Sequence, residues 1–282
     1  MKYYVITPAK NEERFISFML ESMVHQTLKP IKWIIVDDGS TDKTKEIIEG
    51  YRKKHEWIEM VSIDNKQEQK LYGSKVIRAF NVGYNLIKDK EYDFIAKFDA
   101  DLSLQPDYFQ QIANAFTQNN KLGICSGYIV ERESDTAKAY SYRTYVPGAV
   151  KSIQTRCFKE IGGFVEANGW DGLDQLKAMY LGWEVAHIPI TIIHHRPITT
   201  EYRSLSFFYN NGIAHYRLGN NFFLAVIRFI LNIREKPYFL ASINYFKGYL
   251  KAAISNEPKL VDEKLAKFIR AHHYKKILNF NR

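Results

Sequence analysis

The chain has 282 residues, enough to bury a sizeable core in one large domain or in a domain with an appendage. Hydrophobic residues make up 46% and charged residues 25%, which excludes a disordered or fibrous chain. The formal net charge is +9, and all of it lies in residues 200–282, where 14 Lys and Arg face 5 Asp and Glu. That asymmetry points to an anionic partner of the last third: a membrane surface, nucleic acid or a phosphorylated substrate. The two cysteines, Cys125 and Cys157, are too few for a disulfide framework or a zinc site and read as reduced core thiols of a cytoplasmic protein.

In chain order, "KYYVIT" reads as a strand and "EERFISFMLESMVHQ" as a helix, from the spacing of Phe15, Met19 and Met23. Glu12 falls in that helix's first turn, where negative charge is favourable. "KWIIVD" is a second strand, and "STDKTKEIIEGYRKKH" a helix with Ser40 as N-cap and Asp42 in its first turn. "WIEMVSI" is a third strand, "KVIRAFNVGYNLI" a helix and "DFIAKFD" a fourth strand. Apolar strands alternating with helices argue an α/β fold, with a parallel sheet covered on both faces. Further on, "LGICSGYIV" is a strand, "VPGAVKSIQTRCFKEIGGF" a strand or loop leading to a short helix, "GLDQLKAMYLGW" a helix ending at Gly182, and "EVAHIPITIIHH" a last strand. After Pro197 the chain turns helical, basic and aromatic, so the expected division is 1–199 and a helical extension, 200–282.

Two amphipathic patterns stand in that extension. "NNFFLAVIRFILNIREK" keeps Asn221, Arg228, Asn232 and Glu235 along one side. "YFLASINYFKGYLKAAI" sets an apolar stripe of Phe239, Ile243, Phe246, Leu250 and Ala253 against Asn244, Lys247 and Lys251. Such helices either pack on the first domain or lie on an anionic membrane. No window is apolar for long enough to span a bilayer, and "MKYYVITPAK" ends its short apolar run at Pro8, unlike a signal peptide.

In open α/β sheets ligands bind beyond the carboxyl ends of the strands. Three polar clusters fall there: "TPAKNEE", "DDGSTD" and "DAD". In "KFDADL", Asp99 and Asp101 are two apart, so at a strand's end they share a face. Two carboxylates on one spot repel unless a cation or proton joins them. A hard divalent ion bridging to phosphate oxygens meets that need; a solvated turn is the plain alternative.

"VITPAKNEE", "IIVDDGSTDKT", "FDAD" and the later "WDGLD…LGW", in this order, resemble the inverting family 2 glycosyltransferases of the GT-A type, of the bacterial surface-polysaccharide kind, over roughly residues 1–200. The resemblance implies a Rossmann-like, mostly parallel sheet with helices on both faces. It also implies a nucleoside-diphosphate sugar as donor, UDP by default, and Mn²⁺ or Mg²⁺ as cofactor. A departing diphosphate carries two charges, which a bound divalent ion would stabilise. By resemblance Asp101 is a metal ligand, Asp99 faces the ribose or the metal, and His194, or else its neighbour His195, supplies a third ligand. Asp37 and Asp38 would contact the nucleoside, with Pro8, Asn11 and Glu12 flanking the same pocket. Lys75 and Arg78, after a glycine loop at "YGSK", would neutralise the diphosphate, although a solvated helix face explains either.

An inverting transfer needs one carboxylate near the acceptor hydroxyl. The family's Glu-Asp pair ahead of a glycine-terminated helix puts Asp171 in that role, with Asp174 one turn on as the alternative; Trp170 stands where the family has Glu. "GGF" at 162–164 would support the donor sugar and acceptor. The implied reaction moves a sugar to a hydroxyl of a glycan or lipid-linked acceptor, in the cytoplasm or peripherally on the inner face of the cytoplasmic membrane. A nucleotidyltransferase would need a glycine-rich basic loop where "TPAKNEE" is acidic. The standing alternative is a nucleic-acid- or membrane-binding protein with a degenerate, non-catalytic transferase fold. It accounts for the basic tail but not for the carboxylates, so no nucleic acid is expected. The sequence does not set the oligomeric state.

Overall fold

A computed structural model of the chain describes residues 1–63, 75–133, 136–140, 145–196 and 204–279. They form two compact units, Met1–Glu166 with Leu181–Ile198, and Ala167–Tyr180 with Thr199–Arg282. This is not the expected split at 199/200: residues 167–180 group with the C-terminal helices because Leu176 packs with Leu265 and Ile269.

The first unit contains β1 (Tyr3–Ala9), α1 (Ile16–Val24), β2 (Lys32–Asp37), α2 (Thr44–Arg52), β3 (Ile58–Ser62), α3 (Lys75–Asn85), β4 (Phe94–Phe98), β5 (Leu102–Leu104), α4 (Tyr108–Gln118), β6 (Leu122–Glu133), β7 (Thr136–Tyr140), β8 (Val150–Gln154), α5 (Thr155–Glu160) and β9 (Glu184–His194). Among the described residues nine strands form one sheet in the order β3-β2-β1-β4-β8-β6-β9-β5, with β7 on β6. Strands β1 to β4 are mutually parallel, as their apolar runs and intervening helices require. Strand β8 enters antiparallel between β4 and β6, β6 and β9 run parallel, and β5 pairs antiparallel with β9, so the second half of the sheet is mixed.

Alternation along the parallel strands builds two apolar faces. Tyr3, Val5, Trp33 and Ile35 join Met19 and Met23 of α1 and Phe109 and Ile112 of α4 in one core. Ile6, Ile34 and Val36 turn the other way and meet α3 at Gly83, where an added Cβ would lie 2.9 Å from Ile6 Cγ2 and 3.0 Å from Val36 Cγ2. The parallel register places Ala9 beside Asp37, so the carboxyl ends of β1 and β2 open together, with β4 ending on the far side of β1.

Two local expectations change. α1 begins at Ile16, so Glu12 precedes the helix instead of sitting in its first turn; its carbonyl accepts the N–H groups of Phe15 and Ile16. α2 begins at Thr44, so Asp42 precedes it, its Oδ1 accepting the Thr44 N–H at 3.0 Å, while Ser40 Oγ accepts from the N–H of Asn11. Cys125 and Cys157 are buried and unlinked. Gly162 and Gly163 have φ of 74° and 70°, values that glycine alone tolerates without strain.

The second unit contains α6 (Trp170–Tyr180), α7 (Leu205–Arg217), α8 (Phe222–Asn232), α9 (Tyr238–Ile254) and α10 (Glu263–Asn279). α7 and α9 cross at two glycines: a Cβ on Gly212 would lie 2.0 Å from Tyr245 O, and one on Gly248 2.0 Å from Tyr209 O. The buried stripe of α9 is accordingly Ala241, Tyr245, Gly248, Tyr249 and Ala252. The apolar stripe expected from the sequence is only partly a packing face: Phe246 meets Phe222 and Phe229, whereas Phe239 is 64% and Ile243 38% exposed. Small residues win the interface because they let the backbones approach. Among the described residues no helix is long and apolar enough to cross a membrane.

Candidate active site

An open cavity of about 440 Å³ lies at the carboxyl ends of β1, β2 and β4. Pro8, Ala9, Lys10 and Glu12 line it from the β1–α1 connection, Asp38 from the end of β2, and Lys75, Val76 and Ala79 from the start of α3. Asp99, Ala100 and Asp101 come from the β4–β5 turn, and His194 and Arg196 from the end of β9. Polar clusters far apart in sequence therefore meet in one cavity.

The paired carboxylates are not alike. They lie in the turn after β4 rather than on the strand. Asp99 is ion-paired with Lys97, whose Nζ is buried and also donates to Gly148 O at 2.8 Å. Burial, with the nearby Asp101 charge, raises the Asp99 carboxyl above its ordinary range against the pull of Lys97. Asp101 Oδ2 accepts from Arg196 Nε at 3.0 Å. Its Oδ1 is buried 3.4 Å from His194 Nε2, and apart from that contact no hydrogen bond reaches it among the described residues. Burial alone would raise Asp101, but His194 and Arg196 outweigh it and hold the carboxyl below the usual range. His194 is raised in return: burial acts to lower it, and Asp101 and Asp99 prevail.

Strand pairing selects between the two histidines. Leu102 faces His194 across β5 and β9, and the His195 N–H donates to Asp101 O at 2.9 Å. His194 therefore points at Asp101. His195 turns away, stacks on Phe18 with centroids 3.9 Å apart and shares a hydrogen bond with Ser103 Oγ at 2.7 Å.

Arg196 is the residue the sequence reading passed over, although "HHR" contains it. Its Nη2 donates to Glu12 Oε2 at 2.5 Å, and its guanidinium sits 5.5 Å from the centre of the Phe15 ring. One planar fork thus joins carboxylates from two loops. Burial pushes the Glu12 carboxyl up to about 7, with Arg196 opposing and Asp101 and Asp99 reinforcing the shift. Lys97 was also missed; its signal was a lysine two positions before Asp99 in a run otherwise fit for burial.

Other candidates divide between lining and framework. Asp38 lines the cavity, with Lys10 Nζ 3.8 Å from its Oδ2 and Arg78 Nη2 3.6 Å from its Oδ1. Asp37 is fully buried, accepts from the N–H groups of Gly39 and Ser40, pairs with Lys45 at 3.3 Å and does not line the cavity. Asn11 ties two loops together: its Oδ1 accepts the Thr41 N–H at 2.8 Å. Lys75 and Arg78 are in the first turn of α3, and the "YGS" ahead of them lies outside the described residues. In the second unit Asp171 is exposed in the first turn of α6; Asp174 is buried, with Oδ1 accepting the Gln175 N–H at 2.7 Å.

Whether these side chains suit a divalent ion turns on Asp101 Oδ1. Asp101 Oδ1, buried and met only by His194 Nε2 at 3.4 Å among the described residues, would with that imidazole nitrogen, once deprotonated, offer a two-point donor set for Mn²⁺ or Mg²⁺. Asp99 fits less well, because Lys97 already neutralises it. Among the described residues no three His, Cys, Asp or Glu side chains converge on one ion site. Asp101 and His194 would leave most positions to phosphate oxygens and water, as Mg²⁺ sites commonly do.

An α/β sheet of this topology, with carboxylates of a D-x-D turn in the cleft at its strand ends, defines the GT-A class of fold. The chain belongs to glycosyl transferase family 2, whose model matches residues 4–174. Among curated relatives, a Bacillus subtilis protein, EpsH, named as a glycosyltransferase, is 35% identical over 133 residues, covering 45% of this chain and 33% of its own length. A Haemophilus influenzae protein named as an uncharacterized glycosyltransferase is 30% identical over 132 residues, covering 46% of this chain and 38% of its own length. The chain thus aligns with little more than a third of these relatives. Among solved structures, Staphylococcus aureus TarS 1–349 in complex with UDP-GlcNAc superposes with a TM-score of 0.57 at 20% identity, covering 96% of this chain and 81% of that one. The mannosyltransferase PcManGT from Pyrobaculum calidifontis, in complex with GDP-Man and Mn²⁺, gives 0.56 at 15% identity, covering 98% and 80%. These two likenesses establish the fold.

Proposed function

We propose that the chain is an inverting, divalent-metal-dependent glycosyltransferase that moves a sugar from a nucleoside-diphosphate donor to a hydroxyl of a glycan or lipid-linked acceptor. The observation that carries this reading is the meeting of Asp101 and His194 in the cavity at the strand ends, where Oδ1 of Asp101 has His194 as its one partner among the described residues. Bound there, a Mn²⁺ or Mg²⁺ ion would supply charge stabilisation for the departing diphosphate.

The chain's own residues do the rest. Asp101 and His194 would hold the ion, Asp38 borders the nucleoside end of the cavity, and Lys10 and Lys75 bring positive charge to the phosphates. The acceptor oxygen forms a bond to the anomeric carbon while the bond from that carbon to the diphosphate oxygen breaks, the electron pair leaving with the diphosphate. Asp171 takes the hydroxyl proton. Its exposure in the first turn of α6 suits a base that must meet an acceptor, whereas Asp174 serves its own helix. UDP is the default nucleotide. A basic helical tail fits a membrane-borne acceptor better than a freely diffusing one.

A thermal-shift panel of UDP and GDP, each with and without Mn²⁺, tests the reading. Ligands that bind the native state raise the melting temperature by mass action. One diphosphate should raise it with Mn²⁺ present and much less without, and Asp101→Asn should abolish the rise while keeping the fold. A rise that ignores Mn²⁺ and survives Asp101→Asn sinks the metal-dependent reading.

A further inference from the structure

We infer that the corner where α8 meets α9 is a docking edge that enters the headgroup region of an anionic bilayer. The inference extends the membrane-borne acceptor reading above, and its test does not use sugar transfer.

The corner is defined by what the second unit leaves unused. α9 spends its small-residue face, Ala241, Tyr245, Gly248 and Ala252, on its own unit. The first turns of its apolar stripe point to solvent, while Phe246 further along packs against Phe222 and Phe229 of α8. Ile230 and Leu231 at the end of α8, and Tyr238, Phe239, Leu240 and Ile243 at the start of α9, are 38–64% exposed. Single exposed apolar residues are ordinary, but six gathered at one interhelical turn mark an interaction surface.

Charge identifies the occupant. Residues 222–254 hold five basic side chains, Arg228, Arg234, Lys236, Lys247 and Lys251, and one acidic, Glu235. Arg234 and Lys236 lie in the turn itself, and both are exposed. Lys247 and Lys251 are exposed one and two turns beyond Ile243, on the same helical face. The surface is therefore an aromatic and aliphatic tip behind which cations are spaced, the arrangement of an element lying in an anionic interface. Tyr238 and Phe239 add rings that favour the headgroup boundary. A second copy of the chain fits worse. A two-fold contact would bring the same lysines and arginines face to face, and like charges across an interface oppose association. Spanning is also excluded for these helices, of 11 and 17 residues, against about 20 for a bilayer crossing.

Co-sedimentation of the whole chain with phosphatidylcholine vesicles, with and without phosphatidylglycerol, tests this. The chain should pellet with the anionic vesicles at low salt, and far less at physiological salt, where screening shortens to about 8 Å. Phe239→Ser with Leu240→Ser should lower the vesicle-bound to free ratio by about tenfold or more. Lys236→Glu with Lys247→Glu should abolish the preference for anionic lipid. Both variants change exposed side chains; far-UV circular dichroism and the nucleotide thermal shift should match the wild type. Absence of binding to anionic vesicles overturns the inference, as does binding that Phe239→Ser with Leu240→Ser leaves intact. So does a wild-type dimer in sedimentation velocity that these serines dissociate, because the corner then belongs to a second copy. In every case the nucleotide thermal shift reports separately on the transferase reading.

Discussion

Asp99 and Asp101 share a turn and a charge but not an environment. Lys97 sits under Asp99 in the core, where an unpaired ammonium would be costly, so the pair is mutually required. Asp101 is flanked instead by a half-exposed Arg196 on Oδ2 and a histidine on Oδ1. Asp171 and Asp174 likewise differ in exposure, the first open to solvent and the second buried. Asp171→Asn should lower kcat by on the order of 10²–10⁴ while nucleoside-diphosphate affinity by calorimetry stays near wild type. Asp174→Asn should act first on stability, because it weakens a buried contact at the start of α6. Normal turnover in Asp171→Asn, together with an inactive but stable Asp174→Asn, would move the base one turn along the helix.

Elements meet where their sequences leave room. In a helix interior Gly costs about 1 kcal/mol relative to Ala, so Gly to Ala normally stabilises. At Gly248 that gain opposes a Cβ placed 2.0 Å from a carbonyl oxygen of α7, a backbone atom that cannot swing aside. Overpacking typically costs 1–3 kcal/mol or more, so the clash wins, and Gly248→Ala should lower the melting temperature. At Gly50, in α2, nothing lies within 4 Å of an added Cβ. Gly50→Ala should therefore stabilise, by up to about 1 kcal/mol. Paired denaturant curves check both, and a Gly248→Ala protein as stable as Gly50→Ala would contradict the close crossing of α7 and α9. The same crossing explains why periodicity misjudged α9. A stripe of large apolar residues does not mark an interface made of glycine and alanine.

At the scale of the molecule, each unit has its own electrostatic character. The second unit holds a half-buried, stacked histidine pair, with His215 and His273 ring centroids 5.6 Å apart. His215 Nδ1 lies 2.6 Å from Tyr245 Oη, and His273 Nδ1 2.8 Å from Asn220 Oδ1. Burial lowers both; His273 and Arg228 press His215 down further, and Arg228, His272 and Lys276 press His273 to about 4. Since an unfolded histidine titrates near 6.5, the folded state refuses protons that the unfolded state accepts below that pH. Stability from the pair is thus complete above about pH 6.5 and falls as pH drops toward 4, by about 1.4 kcal/mol per pH unit for each histidine. Helical unfolding followed by circular dichroism across that window should steepen accordingly, and His273→Gln should remove about half of the slope. An unchanged slope in His273→Gln would mean the pair does not govern it.

Local chemistry alone was enough for the parallel strands, the three polar clusters at their ends and the basic, helical last third. Strand burial, helix spacing and charge are properties of neighbouring residues, and they survive in the linear chain. Pairing across long separations is not written locally. The antiparallel entry of β8, the meeting of His194 and not His195 with the Asp101 side chain, and the convergence of Arg196 on Glu12 and Asp101 each depend on which strand lies beside which. The retirement of Asp37 into a turn and the buried Lys97 beneath Asp99 depend on depth, which a sequence does not carry. Residues 167–180 joined the C-terminal helices because Leu176 found Leu265 and Ile269. The start of the α9 apolar stripe, Phe239 and Ile243, faces outward because glycine and alanine allow α7 the closer approach, and that packing preference is decided only when both helices are present.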